Sequence, residues 1–441
     1  MSHDPVDLLI KNAHIVTMNP AMEVHQPGAL AIRGDTIVAV GAEKDLLGLE
    51  ARAREVLDVQ RGAVLPGLIN THTHAAMTLF RGLADDLPLE DWLHHHIFPA
   101  ERKINAQWVY WGTLLACAEM ILSGTTTFCD MYLFEAEVAR AAREAGMRAL
   151  VGEVLYDFPS PNYGPIEKGF DYTLQLIRDF KEDPLISVAV EPHTPFTCSP
   201  DLLRKAGAVS AEQGVPLIIH LSETFPEKEQ IQKQYQTSPV GLLDGLGLLS
   251  SNLIAVHCVA LSEEDMNALG KAGVKVAHCP ESNMKLASGV APVVPMMSRG
   301  ITVGLGTDGC ASNNNLDLFQ EMSAAAKLHK VHLLDPTVMD ARTVLRMATI
   351  EGAKVLQMDR VIGSLEPGKK ADLIILDLKQ PHLTPLYNLY SQLVYAAKGS
   401  DVTQVFINGK QVLKDRQLTT LSLRTIFEKA HSFASSLQTG S

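Results

Sequence analysis

The chain has 441 residues, 46% hydrophobic and 20% charged, which is material for one large globular domain with an accessory unit. Its net charge of −12, with no basic run, excludes a general nucleic-acid surface and leaves a small molecule as the expected partner. No secretory leader follows Met1, no apolar run nears the roughly 20 residues that span a bilayer, and six scattered cysteines lack CxxC spacing, so a cytoplasmic protein with reduced thiols and no membrane partner is expected.

The chain opens with short strands and turns: DLLIKNAHIVTM, then ALAIRGDTIVAVG with Gly34-Asp35 as its hairpin turn, then REVLDVQ. The other end repeats that character in ADLIILDL and in VTQVFINGKQVLKD, which turns at Asn408-Gly409. The two termini are therefore expected to build one small β-sandwich domain, residues 1–62 with 368–441. Between them, residues 63–367 alternate short apolar runs with helical stretches such as AQWVYWGTLLACAEMILSG and SPDLLRKAGAVSAEQG, the pattern of βα units around a parallel sheet.

Eight such runs occur: GAVLPGLINTHTH, GTTTFCDMY, MRALVGEVLYD, LISVAVEPHTP, VPLIIHLSE, NLIAVHCVA, VKVAHCPES and ITVGLGTDG. Nearly every one ends its apolar stretch in His, Asp or Glu. The C-terminal strand ends of a closed barrel carry its active site, whereas a doubly wound open sheet has one crevice and gives no reason for so many polar endings. The expected fold is an α/β protein with a (β/α)8 TIM barrel.

In the first run, His72 and His74 are two apart in an extended segment and project from the same side, so one ion could meet both. His220 ends the fifth run, with Glu223 three residues on, and Asp308 closes the eighth. Taken singly, His220 could be a core histidine and Asp308 a turn former. Jointly, coincidence at the ends of three strands is improbable, and three imidazoles with one carboxylate suit zinc, or ferrous iron in its place, with a position left for water. Such an ion lowers the water's pKa towards neutrality.

His257, ending the sixth run, could be a fourth imidazole near the ion, though hydrogen-bonding that water or its product is the better reading. The fourth run has no lysine that could bridge two metals, so one ion per chain is expected, and His193 is free to contact substrate. The consecutive His94, His95 and His96 point in different directions on a helix and cannot converge on one ion. His278, before Cys279-Pro280, is open to either a structural or a functional reading.

Together NTHTHAAMTLFRG, HLSE, the VHC of the sixth run, CPESNMKLASG, GLGTDGCASNNNLD and GSLEPGKKADLIILD resemble the amidohydrolase superfamily, in its methylthioadenosine/S-adenosylhomocysteine deaminase and chlorohydrolase-like branch. The resemblance covers almost the whole chain. It implies a mononuclear zinc enzyme with ligands His72, His74, His220 and Asp308, Glu223 as proton shuttle, and Glu101, His193 and Ser312 in substrate roles. Glu101 could accept hydrogen bonds from vicinal ribose hydroxyls, and Trp92 could cover the purine or the 5′ substituent. A homo-oligomer, dimer or tetramer, is expected.

One departure matters. Family members acting on S-adenosylhomocysteine commonly hold its carboxylate with arginine after the third strand, yet residues 149–177 contain no arginine and only Lys168 as a cation. The expected reaction is hydrolytic deamination of an adenosine-type nucleoside carrying a small or apolar 5′ group, with the homocysteine adduct as a further candidate. The rivals are a deaminase of a free base (guanine, pterin or cytosine), a triazine amino- or chlorohydrolase on the same scaffold, and a non-catalytic oligomeric scaffold.

Overall fold

A computed structural model describes residues 5–87 and 91–439. Each of the eight apolar runs contributes a parallel strand: Leu68–Thr73, Thr125–Tyr132, Arg148–Leu155, Ile186–Val188 continued by Glu191–Pro192, Leu217–Leu221, Leu253–His257, Lys275–His278 and Val303–Leu305. The first four pair in one sheet and the last four in another, and a parallel bridge between Val190 and Leu217 joins them. The ring closes where the Thr307 and Asp308 amides donate to the His72 carbonyl at 3.1 and 3.0 Å. This is the (β/α)8 barrel, and its strands read as unbroken apolar runs because both faces are covered: every residue of Leu217–Leu221 and Leu253–His257 is buried.

Closure at that seam needs glycine. A Cβ on Gly306 would lie 2.9 Å from the His72 amide nitrogen, and one on Gly309 would lie 2.9 Å from Met77 Sδ and 3.1 Å from His74 Cβ. The GLGTDG sequence thus lets the eighth strand press against the strand that carries both histidines.

The terminal strands enter a single nine-stranded mixed sheet, in which Val6–Val16 pairs with Val24–Arg33 and Leu373–Leu376 pairs with Val402–Ile407. Side chains alternate across it. Leu8, Ile10, Leu30, Ile32, Val64, Leu373 and Ile375 share one buried cluster, while Leu9, Ala29 and Ala31 pack with Leu46 and Leu49. The run 62–74, which reads as one strand in sequence, is two. Ala63–Pro66 belongs to the terminal sheet, paired with Val6–Val16 and Leu373–Leu376, and the chain enters the barrel only at Leu68. Pro66 lacks an N–H to continue a ladder, which suits it to that break.

The terminal sheet is tied to the barrel by a buried bidentate pair, Arg148 Nε and Nη2 to the Asp372 carboxylate at 2.9 and 3.2 Å, with the Asn408 amide on the same carboxylate at 2.7 Å. The last helix, Leu423–Thr439, returns to the barrel and sets Phe433 against Trp108 with ring centroids 4.8 Å apart. All six cysteines are buried and free. No helix among the described residues is long and apolar enough to cross a membrane.

Candidate active site

The three expected imidazole ligands converge at the C-terminal mouth of the barrel. His72, His74 and His220 each offer a ring nitrogen, all within 4.8 Å of one another, and His72 Nε2 faces His220 Nε2 at 3.2 Å. Two of the rings are turned by carbonyls behind them: His220 Nδ1 lies 3.0 Å from the His193 oxygen, and His74 Nδ1 meets the Met131 oxygen. Donation there turns Nε2 of each ring toward the centre. Asp308 completes the group, with Oδ1 at 3.2 Å from His74 Nε2 and 3.6 Å from His72 Nε2.

The electrostatics call for a positive charge at this point. Burial pushes His72 down to about 4 and His220 well below the usual imidazole range. Burial also disfavours charge on His74, but Asp308 and then Asp130 outweigh it and lift that group to about 9. The Asp308 carboxyl is disfavoured by burial, yet the histidines around it hold it well below the ordinary range. A buried carboxylate facing three converging imidazoles, two kept neutral and the third holding a proton that a cation would displace, is a donor set that fits a divalent zinc-like ion.

Glu223 and His257 stand beside this cluster, His257 Nε2 lying 3.7 Å from Glu223 Oε2. The rings of His257 and His220 stack at 5.5 Å. Burial raises Glu223 above the usual carboxyl value, the state of a group that holds a proton and can release it. His257 Nδ1 is engaged by Asn283 Oδ1 at 3.0 Å, which directs Nε2 to the centre. Several residues here adopt left-handed backbone without being glycine: Ser222, His257, Cys258 and Asp308, with φ of 52°, 69°, 53° and 60°. Each costs on the order of 1 kcal/mol, and all sit just where a strand delivers its last side chain to the mouth.

The half-buried Glu101 ends the helix Phe98–Glu101, near His74 and the Tyr132 hydroxyl. Burial raises its carboxyl to about 7, while the Tyr132 hydroxyl and His74 pull the other way. His193 ends the fourth strand with Nδ1 3.0 Å from Thr197 Oγ1 and its ring 5.1 Å from that of His220. Burial holds it neutral, down to about 3. Trp92 begins the π-helical turn Trp92–Ile97, and its side chain lies outside the described residues. Ser312 is turned to the carboxylate of Asp308, Oγ to Oδ2 at 2.8 Å. His94, His95 and His96 are exposed, and His278 is buried against His329, Nε2 to Nε2 at 3.2 Å.

Several groups at this mouth escape sequence reasoning. Ser282 and Asn283, adjacent on the helix Pro280–Lys285, bond Asp308 and His257 respectively. Tyr156 stacks on Phe158 at 3.8 Å and meets His193 edge-on at 6.3 Å. Glu153 and Glu191 are wholly buried carboxyls, and Gly152 makes room for the latter, since a Cβ there would lie 2.3 Å from Glu191 Cδ. The CPESNMKLASG run carries part of the family resemblance, but nothing in it singles out Ser282 or Asn283 or tells which residue each reaches.

Residues 63–412 match the sequence profile of the amidohydrolase family. The chain is 58% identical to the 5-methylthioadenosine/S-adenosylhomocysteine deaminase of Syntrophobacter fumaroxidans over 99% of this chain and 100% of the other. It is 44% identical to the 5′-deoxyadenosine deaminase of Methanosarcina barkeri, over 98% and 99% of the two chains. Among solved structures, the zinc-bound adenosine deaminase from Xanthomonas campestris superposes with a TM-score of 0.96 at 39% identity, over 99% of both chains. With a match of that extent laid over a closed barrel that gathers its histidines at one mouth, the chain belongs to the amidohydrolase family.

Proposed function

We propose that the protein is a hydrolytic deaminase that replaces the 6-amino group of an adenosine-type nucleoside with water's oxygen and releases ammonia. The observation that carries this reading is the joint placement of Glu223 and His257 beside the His72, His74 and His220 cluster, with Glu101 near His74. The relatives named for methylthioadenosine, S-adenosylhomocysteine, 5′-deoxyadenosine and adenosine support it.

His72, His74, His220 and Asp308 would hold one zinc ion, which when bound supplies Lewis acidity and brings the pKa of water near neutrality. The residues of the chain do the rest. His257, its Nδ1 fixed by Asn283, orients the attacking water through Nε2. Glu223 takes a proton from that water and delivers it to the purine N1, which makes C6 electrophilic. A second proton, delivered by the same carboxyl, lets the amine leave as ammonia. Asp308, held ionised, takes the proton that remains on the attacking oxygen and returns it to the Glu223 carboxylate, which is the source of the second proton the amine leaves with as the C6–N bond breaks.

Glu101 accepts from the 2′ and 3′ hydroxyls of the ribose, and neutral His193 contacts the sugar or base. The 5′ end of the nucleoside lies against Tyr156 and Phe158. Phe158 and the nearby Phe196 are each 42% exposed, an apolar shelf with no arginine in the third-strand loop. That favours a methylthio or deoxy 5′ end over an amino-acid tail.

An ammonia-release screen of the zinc-loaded protein tests the reading. The expected order places adenosine, 5′-deoxyadenosine and methylthioadenosine above S-adenosylhomocysteine, with guanine, cytosine and a chlorotriazine inactive. Faster turnover of a free base or a triazine would overturn it.

A further inference from the structure

The Asp308 carboxylate is gripped in a way that its role as a ligand alone does not require. Ser282 is completely buried on the helix Pro280–Lys285, and its Oγ lies 2.6 Å from Asp308 Oδ2. Ser312, from the loop after the eighth strand, approaches the same oxygen at 2.8 Å. The other oxygen, Oδ1, accepts the Gly309 amide at 2.8 Å and faces His74 and His72.

We propose that Ser282, with Ser312 as second donor, is a positioning residue that fixes Asp308 with one oxygen turned toward the imidazole cluster and the other turned away. The torsion of a carboxylate about its last bond is broad, so nothing intrinsic to aspartate keeps one oxygen inward. Two hydroxyls on Oδ2 remove that freedom. They also prevent Oδ2 from swinging round to bind the ion alongside Oδ1, which would close the position water needs.

The backbone is locked from the opposite side, which makes the carboxylate the remaining freedom. Asp308 has a left-handed φ of 60°, its amide donates to the His72 carbonyl at 3.0 Å, and its own carbonyl accepts from Thr73 Oγ1 at 3.0 Å. A serine inside a helix ordinarily turns its hydroxyl to a carbonyl of the preceding turn or to solvent. Ser282 does neither, and reaches a residue 26 positions along the chain.

The inference rests on the metal-dependent reading of the site, so the first measurement is the zinc content of the wild-type protein. A wild type that holds no zinc overturns both. With zinc bound, Ser282→Ala and Ser282→Cys are compared with wild type for the rate of zinc transfer to a chromophoric chelator, for kcat and KM on adenosine, and for thermal unfolding of the metal-free proteins. Cysteine keeps the volume of serine but donates poorly.

Both variants should lose zinc about ten-fold faster, the low end of the range for residues that orient metal ligands. The kcat should fall while KM stays within about twofold, and the metal-free variants should unfold modestly below wild type and by similar amounts, since both lose the hydrogen bond to Asp308. The double variant Ser282→Ala/Ser312→Ala should depart from the product of the single effects, because both hydroxyls serve one oxygen.

Zinc release at the wild-type rate in Ser282→Ala overturns the proposal. So does full recovery in Ser282→Cys, which would assign the effect to packing. A change confined to KM would make Ser282 a substrate contact instead and is equally fatal.

Discussion

Replacing Glu101 with glutamine separates recognition of the sugar from chemistry at the base. Burial lifts this carboxyl to about 7, so its charged form prevails only above neutrality. Hydrogen bonds to a charged acceptor are worth about 1.5–3 kcal/mol against about 1 for neutral pairs. Glutamine keeps one acceptor but loses the charge and the second acceptor, a loss of about 2 kcal/mol or about 30-fold in kcat/KM for adenosine. The wild-type enzyme carries its own internal control. With a carboxyl at about 7, the ionised fraction falls about ten-fold between pH 8 and pH 6, so kcat/KM for the nucleoside should fall with it. That acid limb should be absent in Glu101→Gln, and the rate on free adenine, which has no ribose diol, should change little in either protein. Equal losses on adenosine and adenine, or an acid limb that survives the substitution, would refute the assignment of Glu101 to the ribose.

Glu223→Gln should retain zinc and nucleoside binding yet lose about 10⁴-fold in kcat, the upper end for general acid–base catalysis, because one carboxyl serves both proton deliveries. A variant keeping its metal and more than about a tenth of the turnover would move the shuttle to another group. Phe158→Arg should raise kcat/KM for S-adenosylhomocysteine relative to methylthioadenosine, read as a ratio in a competition assay, since it places a cation on the apolar shelf where the tail carboxylate would lie. The buried Glu153 carboxyl is raised by burial to about 7 in the fold against 4.5 for an ordinary glutamate. The folded state therefore binds more protons than the unfolded state in that interval, and stability is lost as pH rises through it, by about 3 kcal/mol for this group. Denaturant melts of Glu153→Gln should show a flatter pH dependence between about 5 and 7 than wild type, and a parallel curve would show that Glu153 is not the group responsible.

Much of the barrel can be read from the strands because each must be apolar on both faces and polar only where it emerges. LIIH and LIAVH show this directly: burial is complete up to the histidine, which then enters the mouth. The HTH pair is legible for the same reason, since period two fixes which side both rings leave the strand. The split of 62–74 into two strands is not legible, because AVLP and LINTHT are equally apolar and which sheet each joins is decided by partners at Leu373–Leu376 and Thr125–Tyr132. Proline marks the break only once it is known that a break is needed.

The groups that orient the site were harder to read, for a physical reason. A ligand or proton carrier declares itself through residue type, because few side chains bind metals or titrate, whereas an orienting group needs only one donor or acceptor and any of several residues will serve. Ser282 and Asn283 are consecutive and reach different partners, Asp308 and His257, because neighbours on a helix diverge by about 100°. One short helix after the seventh strand therefore holds both the carboxylate at the end of the eighth strand and the imidazole at the end of the sixth, which lie on either side of it. Both of those residues also carry left-handed backbone, with φ of 60° and 69°. A strand that ends in such a conformation cannot hold its last side chain by ladder bonds, so it must be held from a neighbouring element. That requirement places the demand for Ser282 and Asn283 in the geometry of the strand ends, where no reading of local sequence can find it.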